Sequence, residues 1–372
     1  MKRLAILSTH PIQYNAPLFQ MLAQEESIDL KVFYSKKTEQ VRFDKDFGQE
    51  VTWDVPLTEG YAHQSFDAKE KSGRNQLLAS IESFNPSALL VYGWNFDGHL
   101  AAMRHFHGSV PVWFRGDSTL LDPLPFWKRT LRKITLNWVY RFVDRAFYVG
   151  QANKRYFLWC GLKEEQLIYA PHAVDNEFFM KDDEERREEA LQMRKDLGID
   201  PLVTVFLFAG KLEAKKQPLE LAEAFASLHS QAHLIYVGSG ALEDALKKRF
   251  DSHPNIHFVG FQNQSKMPIW YRVADVFCLP SRGPGETWGL AVNEALACGC
   301  SVIVSDRVGC AEDLVKGKSL GAVFSWNNIE ELGATISHAV NLLSKDKIQI
   351  TGDQIGSVQN VCDCITGILN KI

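Results

Sequence analysis

Residues 280–295 read Pro280-Ser281-Arg282-Gly283-Pro284-Gly285-Glu286-Thr287-Trp288-Gly289-Leu290-Ala291-Val292-Asn293-Glu294-Ala295. The apolar run 276–279 before them reads as a buried strand, and the apolar spacing after Trp288 predicts a helix. The stretch between is rich in glycine and proline. Glycine has no side chain, so such a loop brings its backbone close to a ligand. A helix start presents unbonded N–H groups and the positive end of a dipole, which together favour an anion.

Two similar strand-to-loop junctions lie upstream. The first is Phe208-Ala209-Gly210-Lys211-Leu212-Glu213-Ala214-Lys215-Lys216-Gln217-Pro218. A turn glycine (Gly210) followed by the cations Lys211 and Lys216 is able to clamp a diphosphate. Taken alone, three solvated loop lysines are the favoured reading. The second is Val237-Gly238-Ser239-Gly240, which is not a GxGxxG, so the dinucleotide fingerprint is absent. Glu286 and Glu294 lie eight residues apart. Over a continuous helix that spacing is about 12 Å, enough to reach both ends of a nucleotide-sugar. Carboxylates suit paired hydroxyls, although a solvated loop acid and a first-turn acid remain open as the alternative.

Around these junctions, short β-rich runs alternate with amphipathic stretches. In the first half, strands are expected at 4–7, 29–34, 88–92, 110–114 and 145–149, with helices at 16–24 and from Gly98. In the second, strands are expected at 203–209, 233–237, 256–259, 276–279 and 301–304. Helices there fall at 220–228, 242–250, 267–273, 290–297 and 329–343. The pattern predicts an α/β chain of two doubly wound, Rossmann-like domains facing across a cleft. Residues 181–189 carry three basic and six acidic residues and read as a solvated helix or linker. The expected division is 1–178, a charged linker at 179–200, a second domain at 201–354, and a C-terminal helix at about 355–372 crossing back to the first.

The motifs from 203 to about 324 resemble the donor-binding domain of retaining glycosyltransferases of the GT-B fold, family 4. The likeness covers Glu286 and Glu294, then Ala295-Leu296-Ala297-Cys298-Gly299-Cys300-Ser301-Val302-Ile303, Ser305-Asp306, Val308-Gly309 and Glu312. It implies transfer of a sugar from a nucleotide-diphosphate sugar, with a UDP-sugar as the expected donor, to an acceptor hydroxyl. Glu286 would bind donor-sugar hydroxyls and Glu294 the ribose. Gly289 and Leu290 would offer N–H groups to the diphosphate, within a loop that includes Gly285, Thr287 and Trp288. Lys216 matches the phosphate-binding lysine, and Lys211 stands where arginine is more usual, losing the planar fork. Gly238, Ser239, Gly240 and Phe261 would lie near the base and ribose. The implied reaction needs no metal and no cofactor. Closure of the cleft would align donor and acceptor.

The first half matches mainly in architecture. His10, Gln13 and Tyr14 follow the first strand, Trp94 the strand at 88–92, and Arg115 and Asp117 the strand at 110–114; these are the acceptor-side candidates. Where the family often has a histidine, this chain reads Arg115-Gly116-Asp117-Ser118, so no catalytic histidine is carried over. Residues 126–145 hold six basic residues against Asp144 alone, interleaved with Trp127 and Trp138. Such a helix can rest on an anionic membrane. The blander arrangement, with Trp and Leu packed inward, is the favoured one.

Of the 372 residues, 45% are hydrophobic and 23% charged, which excludes a disordered chain. The net charge of −4 gives no chain-wide field for nucleic acid. Seven cysteines without a CxxC pair read as small buried residues in a reducing compartment. Four apolar residues after Lys2-Arg3 are too few for a signal peptide, and no run suits a spanning helix. A cytoplasmic location, or the cytoplasmic face of a membrane, is therefore expected. The triplet Asp44-Lys45-Asp46 is far from any phosphate loop and is discounted as a metal site. A GT-B sugar-nucleotide epimerase and a catalytically silent sugar-binding or scaffold protein are the competing readings.

Overall fold

Apolar runs of four to seven residues become parallel strands in two separate sheets. The computed structural model describes residues 1–37, 42–44, 49–181, 184–228, 230–342 and 350–372. Asp46 of the discounted triplet, and Asp182 and Asp183 of the acidic run, lie outside the described residues. The chain divides into two units, one of residues 1–40, 55–173 and 357–372, the other of 41–54 and 174–356.

The chain opens with β1 (Lys2–Ser8), α1 (Ala16–Gln24) and β2 (Ile28–Tyr34). A two-stranded antiparallel ribbon, β3 (Arg42–Asp44) and β4 (Gln49–Val51), follows and groups with the second unit. The first unit continues with β5 (Ala62–Ser65), α2 (Lys71–Phe84), β6 (Ala88–Tyr92), α3 (His99–Phe106) and β7 (Val112–Arg115). Then come α4 (Phe126–Tyr140), β8 (Arg145–Tyr148), α5 (Gln151–Trp159) and β9 (Leu167–Tyr169). The sheet runs β5-β2-β1-β6-β7-β8-β9, with every pair parallel. Leu4 pairs with Ala88 and Lys2 with Ile28, so β1 is central, and its Leu4, Ala5, Ile6 and Leu7 are fully buried.

The second unit holds α6 (Asn176–Met180), α7 (Glu184–Asp196), β10 (Val205–Ala209), α8 (Pro218–Ala226), β11 (His233–Val237), α9 (Glu243–Phe250) and β12 (Ile256–Gly260). It ends with α10 (Met267–Val273), β13 (Val276–Leu279), α11 (Leu290–Ala297), β14 (Ser301–Ser305), β15 (Gly321–Phe324), α12 (Ile329–Leu342) and α13 (Gly352–Ile355). Its sheet is β12-β11-β10-β13-β14-β15, again parallel throughout. The last helix, α14 (Val358–Leu369), belongs to the first unit, where Val361, Cys362, Ile365 and Leu369 share a core with Leu18 and Leu22 of α1.

Two expectations need correction. The segment 179–200 is not simply a solvated linker, because α7 is anchored to the second unit through Arg194. That side chain is buried and donates to Val273 O (2.7 Å) and to Asp275 Oδ2 (2.8 Å), which also accepts from Val205 N. The polar composition of α7 hid this, since one buried guanidinium does what an apolar stripe usually does. Second, α4 does not pack its aromatic face inward. Leu136, Val139 and Tyr140 are its buried residues, whereas Trp127, Leu131, Ile134 and Trp138 are exposed. The seven cysteines are free thiols, and all but Cys364 are buried.

His99, the first residue of α3, is fully buried. Its Nδ1 lies 2.9 Å from Gly93 O, so Nδ1 carries the proton, and Nε2 accepts from Ser35 Oγ at 3.1 Å. Burial holds its pKa at about 4, below the usual 6.5, against weaker opposing pulls from the Gly93 hydrogen bond and, least, Asp97. The unfolded chain then binds the extra proton between those values, so stability is full above pH 6.5 and falls as pH drops toward 4. Thermal melts should show a loss of about 2 kcal/mol between pH 7 and pH 5 from this group. His99→Asn should flatten that slope; an unchanged slope would remove His99 as its source.

Candidate functional site

In the second sheet the strand order reverses between β10 and β13. Loops leaving neighbouring strands at such a reversal diverge to opposite faces and open a crevice at the carboxyl ends. The loop after β10 carries Gly210, Lys211 and Lys216; the loop after β13 carries Gly285, Glu286 and Thr287. The two meet. Lys216 Nζ lies 2.5 Å from Glu286 Oε2, and Ser281 Oγ donates to the same oxygen at 2.8 Å. Both charged side chains are mostly buried, at 19% and 10% exposure. Arg282 N donates to Lys215 O at 2.8 Å, tying the loops a second time. Gln217, next to Lys216, sits in the left-handed region at φ 52°. With its amide oriented by its neighbours, its nitrogen donates to Pro280 O (2.7 Å) and Trp326 O (3.1 Å). That conformation is unfavourable for a non-glycine residue and is held here by these two bonds. Sequence reading assigned Gln217 no role.

The helix α11 spans Leu290–Ala297, as expected, with Gly289 capping it at φ +97°. A Cβ there would also press on Val308 and Leu279. The loop before it is bracketed by a neighbouring backbone: Gly309 N donates to Glu286 O (3.1 Å) and Cys310 N to Trp288 O (2.9 Å). A Cβ on Gly309 would lie 1.7 Å from Thr287 O, so only glycine fits. Trp288, expected to line the donor, is instead 3% exposed, its indole N–H donating to Asn293 Oδ1 (2.8 Å). Asn293 Nδ2 donates in turn to Ile355 O at 2.7 Å. The Trp288 side chain thus anchors the loop.

Glu294 lies one turn into α11 and is 3% exposed. Its Oε1 accepts from Gln264 Nε2 (3.2 Å) and its Oε2 from Tyr271 OH (2.7 Å). Donors from the protein thus reach both carboxylate oxygens and fix the orientation of the group. Gly238 and Gly240 serve loop packing. A Cβ on Gly238 would sit 2.0 Å from Gly210 O, and one on Gly240 2.7 Å from Leu212 O. Leu212 N donates to Ser239 O (2.9 Å), which joins the β11 loop to the lysine loop. Lys211, Ser239 and Phe261 are half-buried beside these contacts.

The first sheet reverses order between β1 and β6, and a recess lies at that end, lined by Tyr14, Asn15, Tyr92, Arg115, His172 and residues of α14. Arg115, from the end of β7, is buried and donates to Ala170 O and Pro171 O, both at 2.9 Å. Tyr92 Oη is buried and has no hydrogen-bond partner among the described residues. Asp117 Oδ2 lies 3.8 Å from His172 Nε2. Burial lowers the His172 pKa despite Asp117, so the contact is made by a neutral imidazole at pH 7. Sequence reading missed His172, which no motif flags. His10 Nδ1 is 2.9 Å from Thr9 Oγ1, and His10 and Gln13 do not line the recess; Trp94 packs against the core of this unit.

Residues 190–349 match the family model described as glycosyl transferases group 1. The matched stretch makes up most of the second unit. Over 184 residues the chain is 31% identical to D-inositol 3-phosphate glycosyltransferase of Jonesia denitrificans, covering 45% of this chain and 42% of that protein. Over 230 residues it is 26% identical to N,N'-diacetylbacillosaminyl-diphospho-undecaprenol alpha-1,3-N-acetylgalactosaminyltransferase of Campylobacter jejuni, covering 60% and 58%. The chain thus spans about half the length of the curated relatives it matches. Alr3699/HepE of Anabaena, solved in complex with UDP, aligns over 100% of both chains with a TM-score of 0.76 at 19% identity. A glycosyltransferase of Rickettsia africae aligns over 100% of this chain and 98% of its own, TM-score 0.75 at 14%. At these identities the likeness is one of fold: two parallel-sheet, Rossmann-like units of the GT-B type. Glu286, Lys216 and Glu294 all lie within the matched residues.

Proposed function

We propose that this protein is a retaining glycosyltransferase that uses a nucleotide-diphosphate sugar. The observation that carries the reading is the Lys216–Glu286 pair at the strand reversal, beside the start of α11. The donor diphosphate takes the N–H groups of Gly289 and Leu290, and Lys216 and Lys211 offset its charge. Glu286 uses the oxygen not engaged by Lys216 and Ser281 to accept a sugar hydroxyl, and Glu294 accepts from the ribose. The acceptor is assigned to the recess of the first unit, where the Tyr92 hydroxyl awaits a partner beside Arg115. In the step itself, the bond from the anomeric carbon to the diphosphate oxygen breaks and its electron pair leaves with the diphosphate. The acceptor oxygen bonds to that carbon on the same face, and its proton passes to a departing diphosphate oxygen. The lysines and the helix start carry the charge that grows on the leaving group, a role that in this reading requires no metal.

Support for the donor class comes from the Anabaena neighbour, solved with UDP. A panel of nucleoside diphosphates and their sugars tests it by thermal shift. At a hundred times its Kd, the true donor should add about 2.7 kcal/mol, a rise of about 5–10 °C for a unit of this size. Turnover with that donor should survive EDTA. Loss of turnover in EDTA overturns the metal-free clamp, and release of an altered free sugar without acceptor assigns the site to an epimerase.

A further inference from the structure

The exposed apolar residues of α4 are spaced four, three and four apart: Trp127, Leu131, Ile134 and Trp138. At 3.6 residues per turn they fall within about 60° of arc, on the side opposite Leu136, Val139 and Tyr140. Their exposures are 64%, 60%, 64% and 42%. Of the thirteen large apolar side chains left exposed among the described residues, seven lie within 120–138. Scattered exposed apolar residues are ordinary; one continuous stripe of this length marks a surface that something covers.

The charges around the stripe indicate what. Lys128 and Arg141 flank it, and Arg104 of α3 stands 5.6 Å over the Trp138 ring. Arg129, Arg132 and Lys133 follow further round the helix, all exposed. The one acid between 126 and 145, Asp144, accepts from Val112 N at 2.7 Å. The chain as a whole carries −4, so this basic segment is a local reversal of sign. Trp at both ends of an apolar stripe, with cations beside it, matches the boundary between lipid headgroups and acyl chains. No described helix is long and apolar enough to cross a membrane, so the contact is one of lying on the surface.

We infer that α4 docks this protein on an anionic bilayer, inserting the Trp127–Trp138 stripe at the headgroup boundary while Lys128, Arg141 and Arg104 meet lipid phosphates. This holds whichever reaction the second unit performs, because it rests on a different surface. The test is co-sedimentation of the full-length protein with vesicles of phosphatidylcholine alone or with about 30% phosphatidylglycerol. The protein should pellet with the anionic vesicles and stay in solution with the neutral ones. About 1 M salt should weaken the pelleting. Lys128→Ala with Arg141→Ala should lower partitioning by about fivefold per charge. Leu131→Gln with Ile134→Gln should lower it by roughly tenfold or more while the melting temperature stays put, since both side chains are already exposed. Equal sedimentation with and without phosphatidylglycerol overturns the proposal. So does a dimer in solution that Leu131→Gln dissociates, which would give the stripe to a second copy of the chain.

Discussion

Replacing Lys216 with alanine should lower kcat by about 10²–10³-fold, or about 2.7–4 kcal/mol of barrier, in assays with the nucleotide-sugar that stabilises the protein. The size follows from the ammonium's task. It is the cation nearest Glu286 Oε2, at 2.5 Å, in a loop that meets the start of α11 across the strand reversal. A group that opposes charge growing on the leaving diphosphate acts more on the transition state than on the bound ground state. The loss should therefore fall on kcat, with KM changing less. A raised KM with kcat intact would make Lys216 a binder of the donor and no more. Full activity would remove it from the mechanism. The variant should still fold, because Lys216 lies outside the buried apolar core of its unit.

Gly309→Ala should damage both stability and turnover. The added Cβ would fall 1.7 Å from Thr287 O and 2.9 Å from Trp288 N, both backbone atoms. Nothing flexible yields there. The strand-end loop must move, breaking the bonds from Gly309 N to Glu286 O and from Cys310 N to Trp288 O. The cost should reach about 3 kcal/mol, a fall in Tm of about 6–12 °C. A shift of Glu286 by about 1 Å costs on the order of 10²-fold in rate. Gly333→Ala is the control, since it lies in α12 with nothing within 4 Å of its Cβ. It should be neutral or slightly stabilising. A Gly309→Ala protein with wild-type melting and turnover would show that this backbone bracket does not position Glu286.

The interior of the fold was legible because a strand covered on both faces has to be apolar along its length. Ala88–Tyr92, His233–Val237 and Val276–Leu279 stand in the sequence as they do in the sheet. The edges were not. Ala62–Ser65 reads Ala-His-Gln-Ser, largely exposed, and Leu167–Tyr169 is three residues long. An edge strand pairs on one side only and needs little apolar character. Lys216 and Glu286, 70 residues apart, were both expected at strand ends on one side of a parallel sheet, but their direct pairing was not read from the sequence. The recess around His172 was not, since Ala170-Pro171-His172-Ala173 has no pattern that marks its backbone as the acceptor of the Arg115 bonds. The space limits on Gly309 and the left-handed backbone of Gln217 depend on neighbours distant in sequence, and no local rule states them. For α4 the period was plain, but two apolar faces compete along it, and composition alone does not say which one the protein covers.

The decisive measurement is the structure of the protein with a bound nucleoside diphosphate. The account predicts pyrophosphate oxygens about 2.7–3.1 Å from the N–H groups of Gly289 and Leu290, with Lys216 Nζ turned toward them. A diphosphate seated away from the amino end of α11, with the Lys216–Glu286 pair undisturbed, would contradict it.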